Sequence, residues 1–209
     1  MFKLTLLRHA ESEGNLANKP QGHSDLPLTP RGRSQAAALA ARWQTEGRHF
    51  DAILSSPLQR GRDTATLIGE ALGVAVEESA ILIERDVGDL ASLEIHTIDE
   101  YYANPRATSP YQDAFGRGGE AQWALMLRAG QALQTLLDRG EGHYLAVSHG
   151  GLLNALMYSI FGLGAHSFGS GPGFYFQNAG FADLAYLADK HRWILERFND
   201  DRHLDGLDD

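Results

Sequence analysis

Short apolar runs alternate along this chain with longer segments of helical pattern, and this alternation is what most constrains the fold. Strands are predicted at "KLTLL", at "FDAILSS", near the end of "AVEESAILIE" and at "HYLAVSH". Helices are predicted at "LTPRGRSQAAALAARWQTEG", "LQRGRDTATLIGEALG", about 119–138 and "GLLNALMYSIFG". Such alternation favours a sheet covered by helices on both faces. We therefore predict an α/β fold, a three-layer α/β/α sandwich with a mostly parallel central sheet.

Residues that start and stop helices support this division. Thr29 fits an N-cap, Pro30 the first helical position and Gly47 the turn after the end. Gly73 likewise ends the next predicted helix. The closing segments "FADLAYLAD" and "RWILERF" predict an antiparallel hairpin. At 209 residues the chain is expected to form one domain, 1–209, with a lid or specificity loop at about 102–117, where Pro, Gly, Ser and Asn are frequent.

Composition excludes several classes of protein. A net charge of −9 disfavours binding to nucleic acid or to an acidic membrane, because both need a positive surface. The longest apolar stretch, "GGLLNALMYSIFGLGA", is too short and too interrupted to cross a bilayer. The chain has no cysteine, so disulfides, thiolate metal sites and a cysteine nucleophile are excluded. With strand-like residues directly after Met1 and no signal-peptide pattern, we expect a cytoplasmic protein.

Ionisable residues follow each of the four predicted parallel strands. Arg8 and His9 follow the first, Arg60 the second, Glu84 the third and His149 the fourth. Taken singly, each has an ordinary explanation as a hydrogen-bonded histidine or a surface ion pair. Because the carboxyl ends of parallel strands share one edge of the sheet, we expect all of them to meet in one pocket.

The motifs around these residues resemble the histidine phosphatase superfamily, which includes the cofactor-dependent phosphoglycerate mutases. "LLRHAES" followed by Asn15 resembles the family's RHG-type signature. The blocks "QGHSDLPLTPRGRSQA", "SSPLQRGRDTA", "IERDVGD" and "VSHGG" resemble its later motifs, in the same order. The similarity covers most of the chain, and as a set these motifs are specific.

The resemblance implies a phosphoglycerate mutase-like fold and a role for each matching residue. His9 matches the family's nucleophile, which forms a phosphohistidine, and Glu84 matches its general acid and base. The implied phosphate-binding residues are Arg8, Asn15, Arg60 and His149. Gln21 and Gly22 match a segment that lines the substrate side. No metal and no cofactor are implied, and the remaining histidines show no metal-site spacing.

The chemistry of phosphoryl transfer fits these residue types. Transfer needs an in-line nucleophile and fixed positive charge around the phosphoryl oxygens. Arginine provides a permanently charged planar fork for phosphate. A histidine attacks only when it is neutral, and neighbouring guanidinium groups favour the neutral form of His9.

Three functions stay open at this point. A metal-independent phosphatase acting on a small phosphomonoester is favoured, because the chain is shorter than typical phosphoglycerate mutases and its 102–117 loop does not match their lid. A cofactor-dependent mutase uses the same residues and is the alternative. A non-catalytic phosphate-binding protein is the third, although none of His9, Glu84 and the arginines is missing. A homo-oligomer paired through the edge of the closing hairpin also stays open.

Overall fold

The computed structural model describes residues 1–92, 116–164 and 171–207. The predicted loop at 102–117 therefore lies outside the described residues, except for Gly116 and Arg117. The described strands are β1 Phe2–Arg8, β2 Ala52–Ser55, β3 Val76–Glu78, β4 Gly142–Ser148, β5 Phe181–Leu187 and β6 Arg192–Asp200. The described α-helices are α1 Glu13–Leu16, α2 Pro30–Thr45, α3 Gln59–Leu72, α4 Gln122–Leu137 and α5 Gly150–Phe161. Short 3₁₀ helices lie at Ala80–Leu82, Gly88–Ser92, Ala188–Lys190 and Arg202–Leu204.

The six strands form one sheet in the order β3-β2-β4-β1-β5-β6. The pairings of β3 with β2, β2 with β4 and β4 with β1 are parallel. β5 pairs antiparallel with β1 and with β6, which confirms the predicted closing hairpin. The mostly parallel α/β architecture is therefore confirmed.

Alternate residues of the central strands face opposite helix layers, which makes the three-layer arrangement. Leu4 and Leu6 of β1 lie in one buried cluster with residues of α4 and α5, including Leu125 and Leu152. Leu7 lies in the other cluster with residues of α2 and α3. This period of two is expected where helices cover both faces of a sheet.

Helix α2 begins with the capping residues that the sequence predicted. Thr29 is the N-cap, and its side chain accepts a hydrogen bond from the backbone N–H of Gly32 at 2.9 Å. Pro30 occupies the first helical position. Gly73 ends α3 in the left-handed conformation, with φ +69°. The start of α2 and the end of α3 were thus predictable from local chemistry, whereas α1 is too short to show a helical periodicity.

The third strand is where the prediction was wrong. β3 spans Val76–Glu78, at the start of "AVEESAILIE" and not near its end. After the Ser79 N–H bonds to the Ser55 carbonyl at 2.8 Å, the chain turns into the 3₁₀ helix. Leu82 then packs fully buried against the α4 layer. Burial of this apolar run against a helix, rather than strand pairing, determines its conformation.

No helix in the described part of the chain is long and apolar enough to span a membrane. The single-domain assignment of 1–209 and the lid role of the 102–117 loop stay predictions.

Candidate active site

Three of the predicted site residues lie at one edge of the sheet. His9 directly follows β1, Arg60 lies in the first turn of α3 after β2, and His149 is the N-cap of α5 after β4. Because β2, β4 and β1 are parallel neighbours, their carboxyl ends meet at this edge. The side chains of all three are buried, with exposed fractions of 3%, 1% and 0%.

The His9 ring is oriented by its own backbone neighbour. Its Nδ1 lies 2.7 Å from the carbonyl oxygen of Ala10. A carbonyl can only accept, so Nδ1 carries the proton and Nε2 keeps its lone pair. Among the described residues Nε2 has no hydrogen-bond partner. The arrangement leaves Nε2 as the nitrogen available for attack.

Burial and two arginines keep His9 neutral. The pKa of His9 is lowered well below 6.5, first by burial and then by the charges of Arg60 and Arg8. The hydrogen bond to the Ala10 carbonyl opposes this effect. At neutral pH the imidazole is therefore in the nucleophilic form.

His149 is fixed as the opposite tautomer. Arg60 donates its Nε–H to Nδ1 of His149 at 3.2 Å, so this nitrogen is unprotonated. Nε2 of His149 therefore donates to the hydroxyl oxygen of Ser56 at 2.7 Å. Burial, followed by the charges of His9, Arg60 and Arg8, lowers the pKa of His149 well below 6.5. Its ring centroid lies 5.0 Å from that of His9.

Neutral oxygens, and not carboxylates, hold the two arginines. Arg60 donates from its two terminal nitrogens to the carbonyls of Ser24 and Gly22, at 2.6 and 2.8 Å. Arg8 donates to the Phe176 carbonyl at 2.7 Å, and its buried Nε has no partner among the described residues. Burial lowers the pKa of Arg60 to about 10, which still leaves it protonated at neutral pH. The site is therefore positively charged and suited to an anion.

Asn15 and Gln21 are joined to each other through Ser12. Asn15 Oδ1 accepts from the Ser12 backbone N–H at 3.1 Å and from Asn178 Nδ2 at 3.2 Å. Gln21 Oε1 accepts from the Ser12 hydroxyl at 2.8 Å. With the oxygens occupied, the amide NH₂ groups are the free donors of both side chains. A Cβ on Gly14 would lie 2.3 Å from the Gln21 side chain, so a larger residue there would displace Gln21.

Gly22 joins the site through its backbone. Its carbonyl binds Arg60, and its φ of +49° is in the left-handed region that favours glycine. A Cβ would also lie 2.6 Å from Val87. The turn that presents the carbonyl to Arg60 therefore depends on glycine.

Glu84 lies at the N-terminus of α5. Its Oε1 accepts from the backbone N–H groups of Arg85 and Leu152, at 2.7 and 3.1 Å. Oε2 accepts from the N–H of Gly151 at 3.1 Å. A Cβ on Gly151 would lie 2.7 Å from Glu84 Oε1, and one on Gly150 would lie 3.9 Å from Arg8 Nε. Glu84, His149 and Arg8 therefore all lie near the start of α5.

Sequence reasoning missed three residues that support the site. Ser56 fixes the His149 tautomer, and Asn178 donates to the carbonyl of His9 at 3.1 Å as well as to Asn15. Thr64 accepts from the Ala10 N–H at 3.1 Å and donates to the Arg60 carbonyl at 2.7 Å. Ser56 and Thr64 both lie within the motif "SSPLQRGRDTA", four residues before and four residues after Arg60. Only their spacing from Arg60 could have signalled them.

Among the described residues, no group of three or more His, Asp or Glu side chains is arranged to hold a metal ion.

Comparison with known proteins gives concordant findings. The family model of the histidine phosphatase superfamily (branch 1) matches residues 4–201. The probable phosphoglycerate mutase GpmB of Citrobacter koseri is 37% identical over 168 residues, which cover 79% of this chain and 77% of that protein.

Two solved phosphatases share the fold. The mycobacterial glucosyl-3-phosphoglycerate phosphatase, solved as a complex with VO3, superposes with a TM-score of 0.80 at 27% identity, over 95% of this chain and 99% of its own. The phosphoserine phosphatase of Entamoeba histolytica, in complex with 3-phosphoglyceric acid, gives 0.78 at 28% identity, over 98% and 100%.

Proposed function

The chain belongs to branch 1 of the histidine phosphatase superfamily, and from this we propose that it hydrolyses a small phosphomonoester through a phosphohistidine on His9. It is an enzyme of the phosphomonoester hydrolase type, like its phosphatase neighbours. The observation that carries the mechanism is the His9 ring: Nδ1 donates to Ala10, burial keeps the ring neutral, and Nε2 is unshared.

In the first step Nε2 of His9 attacks phosphorus while the bond from phosphorus to the ester oxygen breaks. Arg8, Arg60 and His149 then stabilise the negative charge on the three equatorial oxygens, which the burial of Arg60 and His149 beside His9 supports. The amide groups of Asn15 and Gln21 add neutral donors. Positioned charge of this kind provides most of the acceleration of phosphoryl transfer.

Glu84 is the proton carrier in this proposal. Oε2 accepts only one hydrogen bond from the described residues, whereas Oε1 accepts two, so Oε2 is the oxygen with a lone pair for a proton. It gives that proton to the departing alkoxide. In the second step it takes a proton from the water that attacks the phosphohistidine, which releases inorganic phosphate and restores neutral His9.

The experiment that tests this function is turnover of p-nitrophenyl phosphate by H9A. We expect loss of nearly all phosphate release, because the variant lacks the group that makes the nucleophilic attack. The matched control is H191N, at an exposed turn residue with φ +46°, which should keep its activity. A chelator should leave wild-type turnover intact. Substantial turnover by folded H9A would refute the proposal.

A mutase is the second candidate, and the name of the Citrobacter koseri relative favours it. The same His9 chemistry would then pass the phosphoryl group to an isomeric acceptor instead of water. Incubation with phosphoglycerates, with and without a bisphosphorylated primer, separates the two. Primer-independent release of inorganic phosphate supports the phosphatase, and primer-dependent isomerisation supports the mutase.

A further inference from the structure

One arginine, Arg128 in the middle of α4, holds the backbone that carries Glu84. Its Nη1 donates to the carbonyls of Ile81 and Ile83, at 3.1 and 2.7 Å. Its Nη2 donates to the carbonyl of Glu84 itself at 3.2 Å. These carbonyls belong to residues 81–84, which follow the edge strand β3. Among the described residues this segment is not paired with any strand of the sheet. Backbone groups in such a segment need partners, and Arg128 supplies them.

The guanidinium of Arg128 is in turn fixed by Glu120. Nε and Nη2 of Arg128 donate to the two carboxylate oxygens of Glu120, at 2.9 and 2.7 Å. Together with the three bonds to carbonyls, this occupies all of the N–H donors that an arginine has. The side chain is largely buried, with an exposed fraction of 17%. With every N–H donor bonded, the Arg128 guanidinium is held in one orientation. It can therefore fix the position of the backbone carbonyls that it binds.

Two neighbouring contacts complete the support. The Glu84 carbonyl also accepts from Nε2 of His23 at 2.8 Å, so both of its lone pairs are occupied. The Arg85 side chain donates to the Glu120 carbonyl and to Gln122 Oε1, both at 3.0 Å. The peptide of Glu84 is thus held from the α4 side while its carboxylate is held by the N-terminus of α5.

We propose that Arg128 is a positioning residue for Glu84. It fixes where the Glu84 carboxylate lies relative to the phosphate pocket, without touching substrate. This inference rests on the proposed function, because it assigns Arg128 a part in the proton transfer that Glu84 performs. A carboxylate that must reach a leaving oxygen needs hydrogen-bond distance and direction, both of which follow from its backbone. Among the described residues Arg128 makes no hydrogen bond to Arg8 or Arg60, and its charge is the last of the effects that lower the pKa of His149, so phosphate binding should depend on it little.

The first test compares esters whose leaving groups differ in their need for a proton. R128M should lower kcat/KM for an alkyl phosphate by about tenfold or more, since general acid catalysis is worth that much or more. It should lower kcat/KM for p-nitrophenyl phosphate by less than about threefold, because p-nitrophenolate leaves without an acid. KM for both esters should change little. An equal loss for the two esters would overturn the inference.

The second test is a double-mutant cycle with Glu84. If Arg128 acts through Glu84, adding R128M to E84A should cost less than about twofold with the alkyl phosphate. A purely structural role would produce the same loss in both backgrounds, and that result would also overturn the inference. The matched control is R139M, which removes an exposed arginine of the chain after α4 that pairs with Glu77 of β3. Its activity should stay unchanged for both esters.

Two further variants keep the test decisive if R128M does not fold. R128K keeps the charge but cannot reproduce the planar fork, and E120Q weakens the partner that fixes Arg128. Each should show the same bias against alkyl phosphates, at smaller size, and its absence in both would overturn the inference. Failure of the proposed function can be distinguished from failure of this inference. It would appear as a wild type that releases no phosphate or as an active H9A variant, whereas failure of the inference would appear only in the comparison of R128M with E84A.

Discussion

Two buried groups of histidine and arginine lie on this sheet, and they differ in how their charge is balanced. At the carboxyl edge, Arg8 and Arg60 bind carbonyls and His149, and neither has a carboxylate within 4 Å among the described residues. In the middle of the sheet, Arg48 pairs directly with Asp183. Under the proposed function the first group keeps its charge for a ligand, whereas the second neutralises it internally through Asp183.

The second group is a structural cluster made by Thr5, Arg48, His143 and Asp183. The Thr5 hydroxyl donates to Asp183 at 2.8 Å and lies 2.9 Å from Nε2 of His143. Arg48 donates to Thr5 at 3.0 Å. Its guanidinium also lies 4.9 Å from the centroid of the Trp43 ring. Under the proposed function, similar residue types serve binding in one place and folding in the other, and a directly paired carboxylate distinguishes the second group from the first.

The largest effect should come from removing charge at the carboxyl edge. R60M should lower kcat/KM for p-nitrophenyl phosphate by about 10³-fold, because it removes the buried cation that we propose stabilises the phosphoryl oxygens and it releases His149. Steady-state kinetics measures this loss. R62M, two residues further along α3 and half-buried, is the control and should stay near wild-type activity. If R60M lowered kcat/KM by less than about tenfold, catalysis would not depend on the charge of Arg60.

Removing the corresponding charge from the structural cluster should affect folding instead. R48M should lower the free energy of unfolding by about 3 kcal/mol, since it leaves the Asp183 carboxylate buried without its main partner. Urea denaturation measures the change. R33M, which breaks an exposed pair with Asp63, should cost less than about 1 kcal/mol. If folded R48M lost activity as R60M does, the contrast between the two groups would fail.

The smallest effect is a pH dependence of stability from His143. Burial, and then the charge of Arg48, lowers the pKa of His143 from 6.5 to about 4, with Lys3 adding to this and Asp183 and Asp51 opposing it. Above pH 6.5 both the folded and the unfolded chain hold it neutral, so its contribution is fully present. Between about pH 6.5 and about 4 only the unfolded chain gains the proton, and stability falls.

H143Q keeps a donor for Thr5 and cannot titrate in this range. Its Tm should therefore fall less than that of the wild type between pH 7 and pH 4.5, although the other buried histidines still contribute. Thermal unfolding followed by circular dichroism provides the comparison. Parallel slopes for the two proteins would show that His143 is not held neutral by the cluster.

Much of the carboxyl-edge site could be predicted because its chemistry lies next to strand and helix boundaries. His9 and His149 each follow an apolar run whose end the sequence marks, and parallel neighbours bring such ends together. Glu84 reaches this edge although its strand was misplaced, because the intervening 3₁₀ helix still carries the chain to α5.

The supporting residues could not be predicted in the same way. Asn178 reaches His9 and Asn15 from a loop that is distant in sequence, and Arg128 reaches Glu84 from a helix whose periodicity indicates only packing. The structural cluster joins Thr5 to Asp183 through strand register. Such partnerships depend on tertiary contacts, and local sequence patterns carry no signal for them.

The most direct test of the account is to trap the phosphoenzyme during the first turnover and identify the phosphorylated atom. Rapid quenching into base preserves a phosphohistidine, and ³¹P NMR with mass mapping identifies the residue and the nitrogen. Because Ala10 holds the proton on Nδ1, the account predicts phosphate on Nε2 of His9. Phosphate on Nδ1, on another residue, or on no residue while turnover continues would contradict it.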